Sequence, residues 1–177
     1  MEYVYHRAVD NMEGTILYPL NVVREKFPDA YAKHVVKYKD REHLLTTNVP
    51  ILNCLWNDVL HFTAVPPTTL FANLQGVGYD AKGLVWKRWY KIPIPLLDKI
   101  KTVTCLYRRD VSLIPDARSF EPFELMRMEE YRTVPPETIT YYREQFARGK
   151  QPLFFHRIPH ILYQGTMETK ELEIITL

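Results

Sequence analysis

The chain has 177 residues, of which 46% are hydrophobic and 25% are charged, and this favours one compact globular domain over residues 1–177. The 23 Lys and Arg residues nearly balance the 21 Asp and Glu residues, which leaves a formal net charge of +2 at pH 7. This balance excludes a polybasic protein that binds nucleic acid through bulk charge. With only 6 Gly beside 12 Tyr, 13 Pro, 8 Phe and 3 Trp, a glycine-rich phosphate loop is not expected either.

The two cysteines, Cys54 and Cys105, each lie in an apolar run and have no clustered histidine nearby in the sequence. This pattern predicts buried, reduced thiols in strands and no zinc or other metal site, although it leaves a disulfide open. No run reaches the roughly 18 apolar residues that a membrane helix needs, and no basic segment followed by an apolar one suggests a signal peptide. We therefore expect a cytoplasmic protein that makes no contact with membranes.

The order of the predicted elements indicates an α+β fold, because strands do not alternate regularly with helices as they do in a doubly wound sheet. Apolar spacing of i, i+4 and i+7 predicts helices, and alternating or β-branched runs predict strands. The predicted strands cover 2–6, 59–64, 84–92, 102–107, 121–128, 152–156, 160–164 and 172–176. Helices are predicted over 29–45 and 67–74. A further helix is predicted to open at Pro135-Pro136-Glu137 and to end with Gly149 as its C-cap, and a helical turn is predicted at 95–101.

Four short segments carry residues that are able to do chemistry. His6 ends the first strand, and His61-Phe62-Thr63 fits the H-x-T pattern of two-histidine phosphodiesterases, although no second H-x-T is present. Glu124 shares one face of its predicted strand with Met126 and Met128, so its carboxylate must be exposed, paired or functional. His156 and His160 flank Pro159 and cannot form a helical metal pair, so we interpret them as loop histidines.

Several of these segments, taken in order, resemble the DarT-like ADP-ribosyltransferases. Tyr5-His6, Asp10-Asn11-Met12 and Ile16-Leu17 resemble the family's opening Y/F-H-x-T-H-x-D-N-L-x-x-I-L, and Arg41 lies in a charged segment as an Arg does in the family. The stretch LWNDVLHFTAVPPTTL, residues 55–70, is similar to L-x-D-Y-V-P-F-Y-F-x-P-x-x-P-M-L. Phe123-Glu124-Leu125-Met126, followed by Val134 to Ile139, resembles A-E-F-L-V and then V-P-x-E-L-I.

The resemblance implies a split β-sheet transferase domain with about three helices that binds NAD in a cleft and transfers ADP-ribose to nucleic acid or protein. It implies that Glu124 is the catalytic carboxylate and that Arg41 contacts the NAD phosphates or the substrate. His6 and Asn11 would hold NAD, with Tyr5 and His61 completing the binding set. NAD is then a substrate, and no metal is implied. A single-stranded nucleic acid acceptor would have to meet local basic stretches such as 33–41 or Lys87-Arg88.

Two other functions remain open from the sequence. Arg7 or Ala8 stands where the family has the threonine of its first motif, so the same scaffold is also expected to suit a nucleotide-binding or protein-interaction module without turnover. The strand that runs from Trp86 to Tyr90 would allow such a module to stack bases on aromatic rings, although a core-facing strand fits the pattern as well. The third hypothesis is an H-x-T phosphodiesterase-like hydrolase that uses His61.

Overall fold

A computed structural model describes residues 1–10, 12–80, 87–107 and 115–177, and it has an α+β fold built on antiparallel sheets. The helices are α1 (Leu20–Lys26), α2 (Pro28–Val35), α3 (Pro67–Gly76), α4 (Met128–Tyr131) and α5 (Pro136–Ala147). The strands are β1 (Tyr3–Arg7), β2 (Ile16–Leu17), β3 (Asn48–Val49), β4 (Cys54–Leu55), β5 (Leu60–Phe62), β6 (Arg88–Pro93), β7 (Thr102–Cys105), β8 (Phe120–Pro122), β9 (His160–Tyr163), β10 (Met167–Glu168) and β11 (Glu173–Thr176).

Two sheets form the centre of the fold. One has three strands in the order β1-β6-β11, and the other has four in the order β5-β9-β7-β8. They meet at a single antiparallel bridge between Tyr5 and Thr63, in which the two residues exchange backbone hydrogen bonds of 2.8 and 3.0 Å. Within the described ranges, no further backbone hydrogen bond joins β1 to β5, so the sheets part on either side of this bridge.

Three hydrophobic clusters cover the faces of these sheets. The first lies on the face that carries Phe62 and Ile161, and it includes Phe123 and Tyr131. The second lies on the opposite face of the four-stranded sheet, around Leu162 and Trp56. The third packs α3 and α5 against the three-stranded sheet, around Trp89 and Tyr142. Burial of apolar area in these clusters is the main source of stability.

Several predicted elements agree with the structure, namely the first strand, the strands in 59–64, 102–107, 160–164 and 172–176, the helix at 67–74 and the helix that opens at Pro135-Pro136-Glu137. Gly149, with φ +66°, follows the last helix as predicted. The predicted strand 84–92 corresponds to β6, although residues 84–86 lie outside the described residues.

The predicted helix 29–45 is wrong in length. α2 ends at Val35, a 3₁₀ turn follows over Val36–Tyr38, and Asp40 then adopts φ +65°. A left-handed residue breaks the helical hydrogen-bond series, and the β-branched Val35-Val36 pair weakens the helix just before that point. The helix α1 was not predicted, because its seven residues carry too little periodicity to identify it.

The predicted strand 121–128 is also wrong beyond its first residues. β8 ends at Pro122, which has no N–H with which to extend the ladder, and the chain enters a 3₁₀ turn over Leu125–Arg127 before α4. Met126 is 97% exposed while Met128 is buried, so the expected shared face does not exist. The predicted strand 152–156 is a turn, closed by a hydrogen bond from the His156 N–H to the Leu153 carbonyl and followed by Arg157 at φ +56°.

Leu162 offers a direct test of the packing, because it lies on β9 between β5 and β7 and is fully buried. Leu162→Ala is expected to lower the free energy of unfolding by about 2–5 kcal/mol, since it removes buried methyl groups and leaves a cavity. Leu96→Ala is the matched control, because Leu96 is 52% exposed and should change stability by less than about 1 kcal/mol. Urea unfolding measures both, and equal effects would contradict the assigned core.

Candidate functional site

Several chemistry-bearing residues lie close to the bridge that joins the two sheets. His6 is the residue after the Tyr5–Thr63 bridge, and its ring makes an edge contact with Phe62 at 5.8 Å between centroids. His61 precedes Phe62 on β5, and His160 begins the neighbouring strand β9. We call the group formed by His6, Lys37, Arg41, His61 and His160 the basic cleft.

His6 is neutral at physiological pH. Its Nδ1–H donates to the Arg7 carbonyl at 2.6 Å, which leaves Nε2 as a hydrogen-bond acceptor. Burial, with the positive charges of Lys37 and Arg7, lowers the pKa of His6 to about 4. This imidazole therefore accepts a hydrogen bond from a ligand hydroxyl or amide instead of carrying charge.

Lys37 connects the parts of the cleft electrostatically. Its positive charge acts on both His6 and His61, and it also acts on His34. Although Lys37 is exposed as a residue, loss of hydration and the charges of Arg41 and Arg7 lower its pKa. A lysine whose pKa is lowered by neighbouring positive charges favours an anion beside it, and a phosphate is the common anion of nucleotides.

Local hydrogen bonds hold Arg41 close to Lys37. After the break at Asp40, its backbone N–H donates to the Tyr38 carbonyl at 2.8 Å and its Nη2 donates to the Lys37 carbonyl at 2.5 Å. Its charge acts on Lys37 and on Tyr107, whose ring lies 5.6 Å from that of His160. Arg41 is thus linked to the predicted site residues His6 and His61 through the charge of Lys37, which acts on both histidines.

Glu124 has its backbone anchored beside the first hydrophobic cluster. Its backbone N–H lies 3.4 Å from the Tyr131 hydroxyl, and Phe123 stacks near Tyr131 at 5.8 Å. Those two rings belong to the cluster that also holds Phe62, the ring neighbour of His6. The Glu124 side chain is exposed, and no hydrogen bond or ion pair reaches its carboxylate from the part of the chain that the structure describes.

Tyr5 and His6 are neighbours on β1, so their side chains point to opposite faces of the sheet. Tyr5 packs against the third hydrophobic cluster, whereas Phe62, which contacts the His6 ring, belongs to the first hydrophobic cluster. Tyr5 and His6 therefore do not line the same side of one binding site. Asn11 lies outside the described residues. Sequence reasoning did not assign Lys37 or His160 to an NAD site, because only the pairing of β5 with β9 and the break at Asp40 bring them there.

The described part of the aromatic–basic strand, residues 87–90, turns its two aromatic rings into the core and not towards a ligand. Trp89 is 1% exposed and Tyr90 is 7% exposed, and Trp89 packs on Phe154 and Phe155 at 5.9 and 6.0 Å. The core-facing interpretation of this strand is thus confirmed for Trp89, and Trp86 lies outside the described residues. Cys54 and Cys105 are free thiols, and burial raises their pKa to about 11 and about 12.

A second concave region is an open groove of about 480 Å³ beside α5. It is lined by Pro136, Glu137, Thr140, Tyr141, Glu144 and His156. The ring of His156 stacks on Tyr141 with 3.6 Å between centroids, so His156 is separate from the pair that His160 forms with His61. With two glutamates in its lining, this groove suits an anionic nucleotide less well than the basic cleft does.

No group of three or more His, Cys, Asp and Glu side chains suited to a metal ion occurs in the ranges that the structure describes. None of the helices in those same ranges combines the length and apolar character that crossing a membrane requires. Comparison of the chain with family models, curated proteins and solved structures gives no match. The geometry of the basic cleft, together with the sequence resemblance, therefore carries the functional argument.

The neutral histidines predict a specific pH dependence of stability. An unfolded histidine takes up a proton near pH 6.5, whereas folded His6 stays neutral down to about pH 4. The contribution of neutral His6 to the free energy of unfolding is therefore complete above pH 6.5, and it is lost as the pH falls towards 4. When the pH falls from 7 to 5, the free energy of unfolding should drop by about 1–2 kcal/mol more in the unchanged protein than in His6→Phe.

Urea unfolding at the two pH values measures this difference. His43→Phe is the control, because His43 is exposed and lies outside the basic cleft. An equal loss of stability in the unchanged protein and in His6→Phe would contradict the assignment of a neutral, desolvated His6.

Proposed function

We propose that this chain is an NAD-dependent ADP-ribosyltransferase of the DarT-like kind, with NAD bound in the basic cleft and nucleic acid or protein as the acceptor. The observation that carries the proposal is the meeting of His6, Lys37 and Arg41 where the two antiparallel sheets part. These are a neutral acceptor and two cations, which are the groups that a ribose hydroxyl and a pyrophosphate require. The ordered sequence segments give independent support.

The binding roles follow from charge and proton state. Lys37 and Arg41 would face the pyrophosphate, because their mutual repulsion is relieved by an anion. His6 would accept a hydrogen bond from a ribose hydroxyl through Nε2, since its Nδ1–H is held by the Arg7 carbonyl. This arrangement needs no glycine-rich loop, in contrast to the dinucleotide site of a Rossmann fold.

The chemical role falls to Glu124. Breaking the bond between nicotinamide and ribose releases neutral nicotinamide and leaves positive charge on the ribose, which a carboxylate stabilises. The acceptor then forms a bond to the anomeric carbon, and its proton passes to the carboxylate or to water. The backbone N–H of Glu124 contacts Tyr131 and the ring of His6 contacts Phe62, and both of these rings belong to the first hydrophobic cluster. We propose that Glu124 and His6 act on one bound NAD.

The proposed role of Glu124 is tested by nicotinamide release. Glu124→Gln keeps the size of the side chain but removes its charge, and it should lower the release rate by about 100-fold or more. Glu171→Gln is the control, because Glu171 is an exposed carboxylate that belongs to neither the cleft nor the first cluster. Release that is the same in the unchanged protein and in Glu124→Gln, across nucleic acid and protein acceptors, would overturn the enzyme proposal.

The proposed role of Lys37 is tested by NAD affinity. Lys37→Met keeps most of the aliphatic stem but removes the charge, so the affinity for NAD should fall about tenfold, as loss of a charge-assisted hydrogen bond predicts. The control is Lys39→Met, which changes an exposed lysine two residues away. Calorimetry at low and high salt measures both, and the effect of Lys37 should shrink as salt screens the charge.

A second candidate function is nucleotide binding without turnover. The observation in its favour is the exposed Glu124 carboxylate, which no described hydrogen bond or ion pair fixes in place. A catalytic carboxylate is normally held by its surroundings. Binding of NAD without nicotinamide release, unaffected by any acceptor, would establish this function in place of the transferase.

The H-x-T phosphodiesterase stays the third hypothesis. The structure supplies a second histidine, since the rings of His61 and His160 lie 6.1 Å apart. Such a hydrolase needs one protonated histidine as its acid, whereas burial lowers the pKa of both rings. Loss of phosphodiester hydrolysis in His61→Ala would support this hypothesis.

A further inference from the structure

His61 and His160 form a pair that the proposed transferase chemistry does not use. On the β5–β9 ladder His61 lies opposite Leu162, and His160 is two residues before Leu162, so both histidines lie on one face of the four-stranded sheet. Their ring centroids are 6.1 Å apart at an interplanar angle of 88°. Both residues are partly exposed.

Hydrogen bonds to the backbone fix which nitrogen of each ring carries a proton. His61 Nε2 lies 2.8 Å from the Trp56 carbonyl, and His160 Nδ1 lies 2.8 Å from the Ile158 carbonyl. A carbonyl oxygen only accepts, so each of these nitrogens must donate an N–H. The nitrogens left for a ligand are therefore Nδ1 of His61 and Nε2 of His160.

Those two remaining nitrogens carry lone pairs at neutral pH. Burial, His160, Lys37 and His6 lower the pKa of His61 well below 6.5, and burial lowers the pKa of His160 to about 4. The other titratable groups that face the pair, Tyr107 and Cys105, have raised pKa values and stay protonated. The pair thus offers two hydrogen-bond acceptors and no positive charge.

Aromatic rings surround these acceptors. Trp56 lies 4.5 Å from His61 and 5.8 Å from His160, while Tyr107 and Phe155 lie 5.6 and 5.8 Å from His160. The charge of Lys37 acts on His61 and that of Arg41 acts on Tyr107. A planar group with a polar edge fits against such rings, and the adjacent cations suit a phosphate attached to it.

We propose that His61 and His160 form a specificity subsite that accepts hydrogen bonds from an uncharged amino or hydroxyl group of a phosphate-bearing nucleotide. The subsite rests on the proposed function, because it names the part of the nucleotide that the basic cleft selects. Two lone pairs repel a phosphate oxygen, so the phosphate lies towards Lys37 and Arg41 and the donor group lies on the histidines.

The experiment measures binding by calorimetry at pH 7.5 with three probes, namely NAD, ADP-ribose and inorganic pyrophosphate. His160→Phe keeps a ring among the aromatic neighbours but removes the acceptor, so it should weaken nucleotide binding roughly three- to tenfold and leave pyrophosphate binding unchanged. A loss with NAD alone assigns the subsite to the carboxamide, and a loss with both nucleotides assigns it to the ADP-ribose part that they share. His156→Phe, outside the cleft, is the control.

Two further measurements keep the proposal testable if His160→Phe folds poorly. His160→Gln places an oxygen near the position of Nε2 and should retain more nucleotide affinity than His160→Phe. Nitrogen NMR of the unchanged protein should show one bare ring nitrogen in each histidine of the pair at pH 7. The affinity for nucleotides should also stay constant between pH 7.5 and pH 5.5, since both rings remain neutral there.

Three results would overturn the subsite. The first is an equal loss of pyrophosphate and nucleotide affinity in His160→Phe, and the second is a nucleotide affinity that rises as the pH falls. The third is a His160→Phe variant that binds NAD, ADP-ribose and pyrophosphate as tightly as the unchanged protein does. The first two would mean that the pair binds phosphate as imidazolium. Failure of the transferase proposal can be told apart from these results. If the protein binds nucleotides through His160 but releases no nicotinamide, the subsite is supported and the catalytic role of Glu124 is not.

Discussion

The backbone bridge between Tyr5 and Thr63 fixes the positions of residues that we propose to bind a nucleotide. Two hydrogen bonds of 2.8 and 3.0 Å join the sheets at this one pair of residues. His6 follows Tyr5 in the chain and His61 lies two residues before Thr63, so the bridge holds both histidines near the junction of the sheets. Both side chains keep partial exposure while the protein around them removes most of their hydration.

That partial burial explains why a cleft rich in cations contains uncharged histidines. Desolvation penalises every charged form, and the positive charges of Lys37 and Arg7 add repulsion for a further proton on His6. The backbone carbonyls of Arg7, Trp56 and Ile158 then hold one N–H of each ring in place. The cleft is thereby divided into a cationic part, suited to phosphate, and an acceptor part, suited to hydroxyl or amino groups.

Local patterns predicted those parts of the fold that local forces determine. The strand at His6, the helix before Gly149 and the β-branched strand at Thr102 all have periodicity or capping that the structure confirms. The break at Asp40 and the turn after Pro122 depend on single backbone conformations that periodicity does not register. The pairing of His61 with His160 depends on contacts across about a hundred residues, and no local signal in one sequence encodes such contacts.

The division of the basic cleft into a cationic part and an acceptor part is consistent with the low net charge of the chain. A value of +2 gives no general attraction for nucleic acid, so the proposed binding of a nucleotide would have to come from a few cations placed where solvent screening is reduced. Lys37 and Arg41 meet that condition because a 3₁₀ turn and the left-handed Asp40 bring them together, and their mutual repulsion is relieved when an anion binds. A ligand with both a phosphate and a hydrogen-bond donor satisfies the two parts of the cleft at once, whereas free phosphate satisfies only one.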